Sequence, residues 1–76
     1  MTWLQLDSQM LASAAYDAEK QILHLRFRKT GDVYRYFDFP AAEYQDFLDA
    51  ESHGRFFQAR IRGPYHYERM AKLRAA

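Results

Sequence analysis

With 76 residues and a mass of 9.1 kDa, the chain is long enough for one domain with a small core, and no more. Hydrophobic residues are 49% and charged residues 28%, which points to an ordinary globular domain rather than a disordered or fibrous chain. The absence of Cys excludes a disulfide framework and any thiolate ligand or nucleophile, and it fits a reducing, cytoplasmic setting.

The opening MTWLQLDSQM has no basic stretch followed by an apolar one, and nothing in the chain approaches ~18 apolar residues, so neither a leader nor a membrane span is expected. Residues 11–16 form a short apolar run, and residues 17–20 read as a turn. From 21 to 28 the side chains alternate, with Leu23, Leu25 and Phe27 on one face and Ile22, His24, Arg26 and Arg28 on the other. That is the period of a half-buried strand. Residues 29–32 supply a Gly-containing turn into a second β-rich run, residues 33–37. With Thr30-Gly31 as the loop, Phe27 is expected opposite Tyr34, and Leu25 opposite Tyr36. The core face is then Leu23, Leu25, Phe27, Tyr34 and Tyr36. The opposite face carries His24, Arg26, Arg28 and Arg35, with Ile22, Val33 and Phe37 as its apolar members.

The second half reads as helical. Pro40 suits a first helical position, and Tyr44, Phe47 and Leu48 follow at i, i+3 and i+4 with Glu43, Asp46 and Asp49 outside. Ser52 is the expected N-cap of another helix running to about Arg62, with Phe57 and Ile61 at i, i+4 and Gly63-Pro64 as its stop. Residues 66–76 form a basic tail, expected as a short docked helix or a frayed end. Six Phe, six Tyr and one Trp let a short chain bury a large area per residue.

A net charge of +1 conceals blocks of opposite sign. Residues 36–54 contain Asp38, Glu43, Asp46, Asp49 and Glu51 and no Lys or Arg. Basic side chains dominate on either side of that block, with Lys20, Arg26, Arg28, Lys29 and Arg35 before it and Arg55, Arg60, Arg62, Arg69, Lys72 and Arg74 after it. A dipolar surface follows.

One ordered series of residues is distinctive: Gly31, Tyr34-Arg-Tyr36, Pro40, Tyr44, Ser52-His-Gly54, Phe57, Ile61-Arg62 and Tyr65. With Ser8, Tyr16-Asp17 and Leu23-x-Leu25-x-Phe27 it resembles the KTSC domain family. That family is named for a domain at the C-terminus of some bacterial lysyl-tRNA synthetases, and it also occurs as small stand-alone proteins. The resemblance runs from about residue 8 to 65. Ala15 departs from it, because members often have Gly before the Tyr. What the resemblance implies about function is an RNA context, taken from the synthetases.

Several side-chain groups admit two readings. Tyr34 and Tyr36 can stack on bases, but the alternation places them with the core-facing Leu23, Leu25 and Phe27. His24, Arg26, Arg28, Lys29 and Arg35, with Arg62 as a further contact, are the candidate nucleic-acid-binding residues, since guanidinium groups pair with phosphate and stack on bases. The same face, through Ile22, Val33 and Phe37, is the candidate for a protein partner or a homodimer. Ser52 and Gly54 before Arg55 suggest a helix cap more than an anion site. His24, His53 and His66 lack metal-ligand spacing, Ser52-His53 is not a triad, and no phosphate loop is present. No cofactor, metal or catalytic residue is therefore expected.

The expected architecture is a small α+β domain, an antiparallel sheet of about three strands with two helices on one face. The expected function is a non-catalytic RNA-binding module for tRNA or other structured RNA. A protein-interaction module on the outer sheet face is the alternative.

Overall fold

The computed structural model describes residues 1–70. Five antiparallel strands form one sheet in chain order: β1 Trp3–Gln5, β2 Leu11–Asp17, β3 Ile22–Phe27, β4 Val33–Tyr36 and β5 Tyr67–Met70. Between β4 and β5 the chain leaves the sheet to form α1, Ala41–Asp49, then α2, His53–Phe56, which runs into a π-helical turn, Phe57–Ile61. The α+β class and the two helices are as expected. The strand count is not, because the two edge strands have only three and four residues, too few to show a strand period. Residues 67–70 belong to β5 and are neither helical nor frayed. The rest of the expected tail, from 71 onward, lies outside the described residues.

Faces follow the alternation. Leu23 and Leu25 from β3 and Tyr36 from β4 are buried with Ala14, Phe39, Phe47, Phe57 and Ile61 in one cluster beneath the helices. The pairing register is shifted from the expected one by two residues: Leu25 lies opposite Tyr34, and Leu23 opposite Tyr36. The turn is longer than Thr30-Gly31. The Phe27 N–H donates to the Asp32 carbonyl at 2.9 Å, and Gly31, at φ 76°, closes the loop with its N–H on the Phe27 carbonyl. A two-residue shift preserves the parity of every side chain, which is why the faces survive it. In β2 a bulge between Leu11 and Ser13 breaks the parity and turns Leu11 into the core.

Phe39 is held from several sides. Asp38 adopts a left-handed conformation, φ 55°, which turns the chain away from β4. The Phe39 N–H then donates to the Gln21 carbonyl at 2.9 Å, and its own carbonyl accepts from the Tyr16 hydroxyl. Its ring meets Tyr65 at 4.6 Å and Tyr16 at 6.4 Å. Pro40 is the N-cap of α1 rather than its first helical residue. Ser52 caps α2 as expected, its hydroxyl accepting from the Arg55 N–H at 3.2 Å. A Cβ added at Gly54 would lie 3.6 Å from Met10, an ordinary contact, so close packing does not by itself require glycine there. The π-helical turn ends with the Arg62 N–H donating to the Phe57 carbonyl at 2.8 Å, which keeps Phe57 and Ile61 in the core.

Candidate nucleic-acid interface

The outer sheet face contains one row that crosses all five strands: Trp3, Ala15, His24, Arg35 and Glu68. Ala15 is small enough for Trp3 to reach across it, and the indole meets the His24 ring edge-on at 6.2 Å. Arg35 forms an ion pair with Glu68 at 2.6 Å, its direct cross-strand neighbour, and covers the Phe37 ring at 5.6 Å. Arg26 donates to the Gly31 carbonyl at 3.1 Å and lies over the Trp3 ring at 5.4 Å. Val33 is fully buried. The structure thus places His24, Arg26 and Arg35 together on this face as expected, but its arginines are already engaged by their own chain.

Arg28 leaves this group. Its Nε donates to the Ser8 carbonyl at 2.8 Å and its Nη2 to the Leu6 carbonyl at 2.9 Å, which ties the β1–β2 connection to the end of β3.

His24 is 9% exposed, and its Nδ1 has no hydrogen-bond partner among the described residues. Burial depresses its pKa below the ordinary imidazole value, Arg35 adds to the depression, and Asp17 and the Ala15 and Ile22 backbone oppose it. Because the folded state disfavours the imidazolium, the unfolded chain binds more protons as the pH falls through about 6.5. The contribution of His24 to stability is therefore complete above that pH and is lost below it, until the folded pKa is reached. Thermal melts at pH 7.5 and 5.5 are expected to show a lower Tm at pH 5.5, with a smaller difference in His24→Gln. An equal difference in the two proteins would assign the pH dependence to other groups.

On the opposite face, a groove of about 990 Å³ lies between the β4–β5 side of the sheet, α2 with the π-helical turn, and the β1–β2 connection. Its sheet side is aromatic. Tyr36 and Tyr67 are cross-strand partners, their rings 5.9 Å apart, and Tyr34 lies 5.7 Å from Tyr67 and 6.5 Å from Tyr36. Phe27 and Phe57 support these rings from below, at 5.2 Å from Tyr34 and 5.8 Å from Tyr36. Tyr36 is only 3% exposed, whereas Tyr67 is 55% exposed. Burial pushes the Tyr36 hydroxyl pKa well up, with Tyr34 and Tyr67 adding to the shift and the nearby Arg62 pulling the other way. The Tyr36 phenol remains a neutral donor and acceptor at ordinary pH.

Arg55, Gln58 and Arg62 line the helical side of the groove at i, i+3 and i+7, and Lys29 lines it at the hairpin turn. Arg55, Arg62 and Lys29 have no ion pair among the described residues. Carboxylates are present too. Asp32 is paired with Arg69 at 3.6 Å, while Asp7 and Glu51 lie toward the start of α2.

Of the expected site residues, Lys29 and Arg62 reach this groove, His24, Arg26 and Arg35 are on the other face, and Arg28 is structural. Sequence reasoning missed Tyr67, Arg55 and Gln58 as members of one site. The distinctive series was the available signal, because Ser8, Tyr34, Tyr36, Ser52, Gly54, Phe57 and Arg62 all line the groove. Among the described residues no group of three or more His, Asp or Glu side chains could hold a metal ion. Among the same residues no helix is long and apolar enough to cross a membrane.

A five-stranded meander with two helices over one half of it, leaving a tyrosine-floored groove at the other, defines a small α+β domain with an aromatic cleft. The chain belongs to the KTSC domain family, whose model matches residues 7–65. It is 40% identical over 67 residues to an uncharacterized protein of Stutzerimonas stutzeri, covering 88% of this chain and 92% of that one. A protein of Tsukamurella paurometabola is 43% identical over 51 residues, or 67% of this chain and 75% of that one. The crystal structure of a KTSC domain protein from Yersinia pestis is similar with a TM-score of 0.87 at 30% identity, covering 92% of this chain and 97% of that one.

Proposed function

We propose that the domain is a non-catalytic RNA-binding module and that the groove is its binding site. The observation that carries this reading is the combination of sheet-borne tyrosines with basic side chains that no carboxylate of the described chain neutralises. Aromatic rings on a sheet offer stacking surfaces to bases, and guanidinium groups beside them take phosphates. Arg62 and Lys29 are the phosphate contacts drawn from the candidate residues, joined by Arg55. His24, Arg26 and Arg35 contribute to the outer face, where Glu68, Trp3 and the Gly31 carbonyl already occupy the two guanidinium groups. A role in a protein partnership or a homodimer through that face has less support, because Val33 is buried and Phe37 is covered by Arg35 and by His66 at 5.5 Å.

The test is a titration of purified tRNA and total cellular RNA at two salt concentrations, with duplex DNA as competitor. Binding should persist with the competitor and weaken steeply with salt, as counterion release requires. Arg62→Glu should weaken it at least roughly tenfold, since reversing a charge at a phosphate contact costs more than removing it. A folded domain that binds no RNA at low salt would refute the proposal.

A further inference from the structure

Resting on that RNA reading, we propose that the ligand enters the groove as an unpaired strand, with one base stacked on the outer face of Tyr67. A neighbouring base lies against Tyr34, and the intervening phosphates sit along Arg55 and Arg62. The three tyrosines differ in what they can offer. Tyr36 is buried and serves as a support, Tyr34 is half-buried, and Tyr67 presents more than half of its surface. Tyr34 and Tyr36 back the Tyr67 ring at 5.7 and 5.9 Å, so the stacking surface is in place before a ligand arrives.

Paired bases have both faces covered by their neighbours in the helix, and an A-form duplex shows a protein its phosphates and 2′-hydroxyls. A recessed aromatic floor therefore selects bases that have left the stack. The charges of the groove set the length of the strand. Asp7, Asp32 and Glu51 line the groove together with Lys29, Arg55 and Arg62, so carboxylates interrupt its basic side chains and no continuous track for a polyanion is formed. That interruption keeps the footprint short, at about two bases, as on other sheet-borne aromatic platforms. Gln58, between the two arginines, is placed to read a base edge.

The experiment is fluorescence anisotropy at low salt, with a 5′-labelled mixed-sequence RNA octamer and the same octamer annealed to its complement. The single strand should bind at least roughly tenfold more tightly than the duplex. Tyr67→Ala should remove most of that preference, with a loss of roughly tenfold or more in single-strand affinity. Tyr67→Phe, which keeps the ring, should stay close to the parent. Tyr67 is exposed on an edge strand, and a thermal melt of each variant confirms folding. Duplex binding equal to single-strand binding would overturn the inference. So would single-strand binding that survives Tyr67→Ala; the first outcome leaves the RNA reading standing, and the second, if binding is then lost in Arg26→Glu with Arg35→Glu, keeps RNA binding but moves it from the groove to the outer face. A folded parent that binds neither octamer nor tRNA would overturn both and leave the groove to a ligand of another class, such as a peptide.

Discussion

Replacing Phe39 by Ala is expected to destabilise the domain by about 3–5 kcal/mol, the usual range for emptying a fully buried Phe site. The site is poorly placed to collapse. Phe39 is fully buried, its backbone is pinned at both ends by the Gln21 carbonyl and the Tyr16 hydroxyl, and Tyr65 and Tyr16 are fixed around its ring. A domain of this size has about 4–11 kcal/mol in total, so a large part of the folded margin would be lost. At roughly 4–8 °C per kcal/mol, the Tm should fall by at least about 12 °C. Phe37 is the internal control. It is two residues away and the same residue type, but it sits half-buried on the outer face against Arg35 and His66. Phe37→Ala should cost less than half as much. Equal losses at the two positions would mean that the segment after β4 is not anchored through Phe39.

That contrast also marks where the sequence stopped being informative. The alternation in β3 and β4 is unbroken, so their faces can be read directly, and they hold even though the pairing register moves by two. Past Phe37 the period fails, because Asp38 in a left-handed conformation reverses which side the next residue enters, and no hydrophobic pattern records a single positive φ. β2 is hidden in a similar way by its bulge at Leu11. β1 has only three residues, and β5, Tyr-Glu-Arg-Met, carries its information in pairings with Tyr36, Tyr34, Arg35 and Val33 that lie some thirty residues earlier. Sheet edges of this kind are defined by their neighbours. The charge blocks were legible as sums but not as pairs. Arg35 counted as free until Glu68 was placed opposite it, and Tyr67 could not join Tyr34 and Tyr36 while its segment read as a tail. The groove depends on β5 being a strand, and so it is out of reach of local patterns, although nearly half of its other residues belong to the distinctive series.

Arg28 gives the clearest case of a basic residue whose charge works inside the fold, and its loss is expected to be the second most damaging change. The guanidinium donates to the Ser8 and Leu6 carbonyls at 2.8 and 2.9 Å, with a longer contact to the Leu11 carbonyl at 3.4 Å. Hydrogen bonds from a charged donor contribute more than neutral ones, and removing the donor takes the protein partner from both carbonyls. Arg28→Ala should therefore cost about 2 kcal/mol, less than the full sum because the side chain is exposed and water can replace part of the loss. The damage should be local. The connection from Leu6 to Met10 is otherwise held by the Leu6 N–H on the Ala12 carbonyl, the Arg28 N–H on the Met10 carbonyl, and the Met10 and Leu11 N–H groups on the Ser8 hydroxyl oxygen. Hydrogen exchange should consequently quicken in β1 and its connection while the β3 amides stay protected, since edge elements open below the global free energy. Arg28→Lys should recover only part of the loss, because an ammonium lacks the rigid planar spacing by which Nε and Nη2 each meet one carbonyl. If Arg28→Lys were as stable as the parent, the charge alone would suffice and the forked geometry would be incidental. Uniformly faster exchange across all five strands would instead show that β1 and the rest of the sheet open as one unit.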